Sequence, residues 1–195
     1  LLLPSRLGVQ TREALIAGTR IASVRHSSFD EEWTQPWGEN KLVRNHCNEM
    51  TVTLRGAGDV ALTLRARAFD DGVAFRYEWS VAGCDTLAVT DELTEFRFPR
   101  DHMAWWMPAR EPYYESLARH TPISQMDTVN TPLTLECADG SYLALHEANL
   151  TDYAKMNLCP TDSTTLRCCL TPWSTGVKVY AQTPFRTPWR TVIVG

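Results

Sequence analysis

The sequence predicts an all-β protein: a sandwich of large, mostly antiparallel sheets with few short helices. Three observations favour this fold class. Apolar and polar residues alternate with a period of two in many short segments, turn signals separate these segments, and helical periodicity is scarce. We count about nine to eleven strands on this basis. No internal repeat or low-complexity tract interrupts the pattern.

The composition limits the classes of function. At 195 residues, with 44% hydrophobic and 22% charged residues, the chain is typical of a globular protein with one core. A net charge of −4 without a run of lysines or arginines disfavours binding to nucleic acid or to an anionic membrane. No apolar run approaches the roughly 18 residues that a membrane-spanning helix needs.

The six cysteines are scattered without Cys-x-x-Cys spacing. This disfavours zinc ribbons and thioredoxin-type redox motifs. Buried free thiols are the favoured state, and disulfides in an oxidising compartment remain the alternative. The sequence does not assign any pairing.

The first part of the chain predicts a short strand, a loop and then a regular strand. Residues 1–8 favour a short strand, and residues 27–39 favour a loop that carries Trp33 and Trp37. Residues 50–54 alternate between apolar and polar side chains, which predicts a strand.

The most distinct hairpin follows. Residues 60–68 and 73–79 alternate between apolar and polar side chains, and Asp70-Asp71-Gly72 supplies the tight turn between them. We expect the wetter face of this hairpin to carry a set of charged side chains. These are Arg65, Arg67, Arg76 and Glu78.

The second half contains further strand signals. Residues 93–98 predict a strand, and residues 101–115 predict a structured loop because two prolines interrupt an aromatic-rich stretch. Residues 132–137 should pair with residues 142–146 across Ala138-Asp139-Gly140.

The end of the chain predicts one more hairpin and a connector. Residues 165–170 and 177–181 should form this last hairpin, with residues 174–176 as its turn. Two prolines make residues 183–190 a stiff connecting segment.

The segment around Glu147 contains the most informative residue of the sequence. In a strand, Leu143, Leu145 and Glu147 share one face, so a carboxylate lies in line with two leucines. A carboxylate there requires a cation, a metal ion or hydrogen-bond donors. From the residues alone, an arginine partner is the favoured alternative. The zinc motif His-Glu-x-x-His fails because position 150 is Leu.

Tryptophans are concentrated in the predicted loops, at positions 33, 37, 105 and 106. Exposed aromatic rings stack on the apolar faces of sugar rings, so a carbohydrate-binding surface is one interpretation. Core packing or a domain interface is the other.

Several motifs, in order along nearly the whole chain, resemble the N-terminal domain of glycoside hydrolase family 97, a family of α-glucosidases and α-galactosidases. They are residues 4–8, Pro-Trp-Gly-Glu at 36–39, residues 44–49, Phe-Asp-Asp-Gly-Val-Ala-Phe-Arg-Tyr at 69–77, residues 91–96, Leu-His-Glu-Ala-Asn-Leu-Thr-Asp-Tyr at 145–153 and Thr-Pro-Trp-Arg-Thr-Val at 187–192. One departure is Cys47, where the resemblance leads us to expect an aromatic residue.

The resemblance implies a β-super-sandwich similar to galactose mutarotase, formed by residues 1–195 as one N-terminal domain of a longer bacterial enzyme. A catalytic β/α barrel and a small C-terminal β domain would follow it in the same chain. The catalytic carboxylates would belong to the barrel, so this chain alone should be inactive. We therefore expect an accessory domain that completes the substrate pocket of an exo-acting α-glycosidase, and a periplasmic or secreted protein.

The resemblance also implies site residues. The domain would donate one carboxylate, Glu147 by its position in the motif, to a calcium ion shared with the barrel. Calcium needs six to eight oxygen ligands, so the barrel would provide most of the others. Four residues would contact an α-linked oligosaccharide, namely Trp105, Trp106, Glu111 and Glu115.

Two other functions stay open. The chain could be a stand-alone carbohydrate-binding sandwich that holds glycan with its tryptophan loops. It could also be a sugar epimerase, which would need a histidine and a carboxylate as acid and base on one concave face.

Overall fold

The computed structural model describes residues 1–12, 19–56, 61–81, 83–109 and 115–195. Within these residues the chain forms strands and one 3-10 helix, Ile123–Gln125. The strands are β1 Val9–Thr11, β2 Arg20–Thr34, β3 Leu42–Arg55, β4 Ala61–Phe69, β5 Gly72–Ser80, β6 Thr86–Glu92, β7 Glu95–Arg97, β8 Met103–Trp106, β9 Arg119–Pro122, β10 Val129–Asn130, β11 Leu133–Glu136, β12 Tyr142–Ala148, β13 Met156–Asp162, β14 Thr165–Leu170, β15 Val179–Gln182, β16 Phe185–Arg186 and β17 Trp189–Val194.

The strands form three sheets. A ten-stranded sheet has the order β2-β3-β4-β5-β17-β12-β11-β8-β9, and β16 also pairs with β5. A four-stranded sheet has the order β10-β13-β14-β7, and a three-stranded sheet has the order β1-β6-β15. Each of the strand pairings described is antiparallel. The predicted all-β sandwich is therefore confirmed, with more strands than the sequence indicated.

The core lies between the ten-stranded sheet and the two smaller sheets. One buried cluster gathers apolar side chains of β8, β11 and β12 with those of β13 and β14. A second cluster joins β4 and β5 to β6 and β15. Phe75 and Tyr153 pack against both clusters and so connect them.

The outer face of the ten-stranded sheet carries the charged residues that the sequence placed there. Arg65 donates from Nε to Glu78 at 2.9 Å, and Arg76 donates from Nε to the same carboxylate at 2.8 Å. Arg67 donates from Nε to Glu49 at 2.9 Å. The predicted wetter face of the β4–β5 hairpin is thus confirmed as a paired ionic network.

Gly72 lies where β5 meets β17. A Cβ atom at this position would approach the carbonyl oxygen of Val192 to 2.3 Å. Any larger residue would therefore push β17 away from β5. The glycine of the predicted Asp-Asp-Gly turn has this second role, which the sequence did not reveal.

Four predictions about elements are corrected. Residues 1–8 do not form a strand, since Leu3 makes only an isolated bridge to Arg97 and β1 begins at Val9. Residues 27–39 belong largely to β2, a strand whose residues are nearly all exposed and so lack an apolar face. Residues 103–106 of the predicted loop form β8. The last hairpin does not form, because β14 pairs with β13 and β7 while β15 pairs with β6.

The predicted pairing of 132–137 with 142–146 is confirmed as β11 with β12. All six cysteines lie within the described residues, and no disulfide joins them. Among the helices of the described ranges, none has the length and apolarity to cross a bilayer.

Candidate functional site

Glu147 lies on the inner face of β12, in line with Leu143 and Leu145 as predicted, and 7% of it is exposed. Its partner is Arg190 on the neighbouring strand β17, at the directly opposed position. Arg190 donates from Nη1 to Oε2 of Glu147 at 2.8 Å. The other oxygen, Oε1, accepts from the backbone N–H of Met156 at 3.0 Å. Both carboxylate oxygens are thus engaged inside the domain.

A second carboxylate completes this cluster. Arg190, which is fully buried, also makes a bidentate contact to Glu92, from Nε at 2.8 Å and from Nη2 at 2.6 Å. Glu92 further accepts from the Thr94 hydroxyl at 2.9 Å and from the Tyr153 hydroxyl at 3.0 Å. Burial without partners would be costly for each of these groups, and the network satisfies them.

The cluster joins all three sheets. Arg190 and Glu147 belong to the ten-stranded sheet, and Glu92 belongs to the three-stranded sheet. Met156, which donates to Glu147, begins β13 of the four-stranded sheet. We call this group of Arg190, Glu92 and Glu147 the buried ionic cluster. Its geometry indicates that it fixes the sheets of the sandwich relative to one another.

Electrostatics keep Glu92 ionised in the core. Burial opposes its ionisation, but the charge of Arg190 and its hydrogen bonds outweigh this and hold the pKa of Glu92 below its ordinary value. Burial raises the pKa of Tyr153 well above its ordinary value, so its hydroxyl stays a donor to Glu92. Burial lowers the pKa of Arg190, but the charge and hydrogen bonds of Glu92, together with Cys168 and Tyr153, raise it well above its ordinary value, so the guanidinium stays charged.

Within this domain, the contacts of Glu147 are those of an ion pair with Arg190. Calcium requires six to eight oxygen ligands. In the described part of the chain, no three side chains of His, Cys, Asp or Glu form a group that could hold a metal ion. Arg190 lies 2.8 Å from the Glu147 oxygen and would repel a cation placed there. The calcium contact of Glu147 stays a prediction of the resemblance, and the geometry favours the arginine alternative.

Trp105 forms a separate cluster on the outer face of the ten-stranded sheet. Its ring stacks on the His120 imidazole with centroids 4.1 Å apart and planes 12° apart. Its indole N–H donates to Oε1 of Glu136 at 2.7 Å, and His120 Nε2 lies 3.3 Å from the same oxygen. We call Trp105, His120 and Glu136 the outer aromatic cluster. It fixes the orientation of an indole that stays 46% exposed.

The other predicted substrate residues have different positions. Trp106 points inward, is 3% exposed and packs in the core, with its indole N–H bonded to the Thr121 hydroxyl at 3.0 Å. A side chain so buried has no free face for a sugar, so Trp106 is a packing residue in this domain. Glu115 is exposed and precedes β9, whereas Glu111 lies outside the described residues. Of the predicted substrate residues that the structure describes, Trp105 and Glu115 lie where a substrate could reach them.

A family model described as "Glycosyl-hydrolase 97 N-terminal" matches residues 1–195 of this chain. The chain belongs to that family. The resemblance read from the sequence motifs is therefore confirmed over the whole length.

Solved structures agree with this assignment. The family 97 domain superposes with a TM-score of 0.93 and 38% identity on a glycoside hydrolase family 97 enzyme from Pseudoalteromonas sp. strain K8, in complex with acarbose. The match covers 100% of this chain and 31% of that enzyme. A beta-arabinopyranosidase, at 22% identity and a TM-score of 0.91, shares the fold over 100% of this chain and 35% of its own.

A curated protein is also similar in sequence to this chain. A probable retaining alpha-galactosidase of Streptomyces bingchenggensis (strain BCW-1) is 28% identical over 196 residues. The match covers 98% of this chain and 30% of that protein. The family 97 domain thus spans about a third of the length of these relatives, measured as 30% and 31%.

The structure separates the predicted site residues of the family 97 domain by face. Glu147 faces the core from β12, whereas Trp105 faces outward from β8, two strands away in the sheet. The sequence motifs do not single out the partners of these residues, Glu92, Arg190, His120 and Glu136. The sequence does contain one signal for Arg190. In a strand, Arg190 and Val192 lie on the same face, so a cation shares an apolar face there just as Glu147 does in β12.

Proposed function

We propose that this chain is the non-catalytic N-terminal domain of an exo-acting α-glycosidase, and that it completes the substrate pocket of the longer enzyme. The supporting observation is the outer aromatic cluster, which holds an exposed indole rigidly on a sheet face that has no second layer in the described residues. An indole fixed in this way is suited to pack on the apolar face of a pyranose ring.

Two properties of the relatives support this proposal, namely their length and the ligands bound to one of them. The relatives are about three times as long as this chain, since it covers 30% and 31% of them. The Pseudoalteromonas enzyme is seen in complex with acarbose and, as a variant, with panose, both at 38% identity to this chain. We infer an α-linked oligosaccharide as the substrate and a catalytic barrel in the same polypeptide as the partner. The periplasmic or secreted location stays a prediction of the resemblance.

Calcium has no step in this proposal. The acid and base of glycoside hydrolysis are two carboxyl groups that flank the scissile bond. Glu92 and Glu147 are two carboxylates that share one partner, but both are bonded to Arg190 in the core and are buried. We therefore assign the domain to positioning the substrate and not to cleaving it.

The test uses the longer enzyme and the chain of residues 1–195. We expect the chain alone to leave an aryl α-glucoside and an aryl α-galactoside intact. We expect Trp105→Ala in the longer enzyme to raise KM roughly two- to tenfold, because a stacking contact is worth about 0.5–1.5 kcal/mol beyond the buried area. The matched control is Trp37→Ala, which removes an indole that is 84% exposed elsewhere.

Two results would contradict the proposal. Hydrolysis by the chain alone at enzyme-like rates would show that it holds its own catalytic groups. An unchanged KM in Trp105→Ala, with KM also unchanged in the control, would remove the outer aromatic cluster from the substrate pocket.

A further inference from the structure

A second aromatic surface lies between the two smaller sheets, away from the outer aromatic cluster. It is a groove of about 990 Å³, within the range of roughly 300–1,000 Å³ of ligand-binding pockets. Residues 152–155 before β13, residues 171–173 after β14 and the edge strand β15 form its walls. We call it the aromatic groove.

Four aromatic rings line the groove. Tyr153 and Phe185 stack with ring centroids 5.8 Å apart and planes 27° apart. Trp173 and Tyr180 belong to the same lining and are 64% and 48% exposed. Such a concentration of aromatic side chains, two of them exposed, is unusual for a face that only meets solvent.

Local structure positions the two residues that carry the exposed rings. Tyr180 faces outward because its neighbours in β15, Val179 and Ala181, point into the core. Trp173 begins a tight turn, in which its N–H donates to Val177 at 2.8 Å and Gly176 donates back to Trp173 at 2.9 Å. Hydroxyls join turn and strand, since Thr175 and Tyr180 lie 3.1 Å apart. The Tyr180 ring is therefore held at its hydroxyl, and the backbone that carries the Trp173 ring is held by the turn, which lowers the cost of ordering this part of the groove on binding.

Polar side chains of both signs surround the rings. Lys155, Lys178, Asp152 and Gln182 contribute ammonium, carboxylate and amide groups to the same lining. A ligand with one dominant charge would meet a like charge in this groove. A ligand that is neutral, with apolar ring faces and many hydroxyl groups, fits both the aromatic rings and the mixed polar rim.

We propose that the aromatic groove binds a neutral oligosaccharide of pyranose units, with Trp173 and Tyr180 as its stacking platforms. This is a second glycan contact, on a different layer of the sandwich from Trp105, and it does not depend on the accessory role proposed above. The groove would keep a glycan chain on the protein without taking part in bond cleavage.

The test is a titration of the purified protein with maltotriose and, separately, melibiose, followed by calorimetry and by the indole N–H resonances. We expect saturable binding of at least one sugar and a shift of the Trp173 resonance. Trp173→Ala and Tyr180→Ala should each weaken binding roughly two- to tenfold, the loss expected when one stacked ring is removed. Trp37→Ala, the matched control, should bind as the wild type does.

The variants keep the experiment interpretable because both rings are exposed and neither belongs to the two buried apolar clusters. Tyr180→Phe retains the ring and should retain most of the affinity. The proposal is overturned if neither sugar binds at high millimolar concentration, or if Trp173→Ala and Tyr180→Ala bind as tightly as the wild type. Binding that shifts only the Trp105 resonance overturns it as well, and would support the outer aromatic cluster instead.

Discussion

At the scale of residues, the contacts of one buried carboxylate show how neighbouring sheets of the domain are linked. Glu147 was identified because it interrupts a row of leucines, and its place in the core is that of an acid compensated by Arg190. The position of Glu147 could be derived from alternation alone. Its partner could not, because β17 lies far along the chain and nothing local pairs it with β12.

Glu147→Gln distinguishes the ionic role from a calcium role. The amide keeps the shape but loses the charge that Arg190 faces, so we expect a loss of about 1–3 kcal/mol in the free energy of unfolding. The loss should be equal with and without calcium in urea titrations. Glu136→Gln, a control whose side chain is 30% exposed, should cost less than about 1 kcal/mol. A loss that appears only when calcium is present would favour the metal role.

At the scale of elements, turn residues predicted the hairpins between neighbouring strands but not the pairings between strands that are distant in the chain. Asp70-Asp71-Gly72 and Ala138-Asp139-Gly140 correctly defined the hairpins β4–β5 and β11–β12. The predicted hairpin of β14 with β15 was wrong because their partners, β7 and β6, come from much earlier in the chain. β2 was missed since a strand exposed on both faces shows no alternation.

Gly72→Ala tests the contact between β5 and β17. The added methyl group would overlap the Val192 carbonyl, at 2.3 Å from Cβ, and the strands must separate to admit it. We expect a loss of about 1–3 kcal/mol, typical of overpacking, measured by urea unfolding. Gly195→Ala, where a Cβ meets open space, is the control and should leave stability nearly unchanged. Equal stability of the two variants would refute the close approach.

At the scale of the whole molecule, burial of charge makes stability depend on pH. Arg190 holds the pKa of Glu92 below 4.5, its ordinary value, despite burial that acts in the opposite direction. A carboxylate with a lowered pKa in the folded state stabilises the protein above the unfolded value and loses that contribution as the pH falls through the folded value.

We therefore expect the midpoint of urea unfolding to be nearly constant around neutral pH and to fall as the pH drops below about 4.5. Glu92→Gln should be less stable at neutral pH, because it leaves Arg190 with a weaker partner, and should show a smaller further loss on acidification. A Glu92→Gln variant with the full acid dependence of the wild type would show that other carboxylates determine it.

The position of β17 has a consequence for how the domain is made. This strand is the last of the chain described, yet it pairs with β5 on one side and β12 on the other, in the middle of the ten-stranded sheet. On the ribosome, the two halves of the sheet emerge before the strand that joins them. Until β17 is synthesised, the edges of β5 and β12 that it will join are unpaired, and Glu92 and Glu147 lack Arg190. We therefore expect the nascent chain to need protection by chaperones most at this stage.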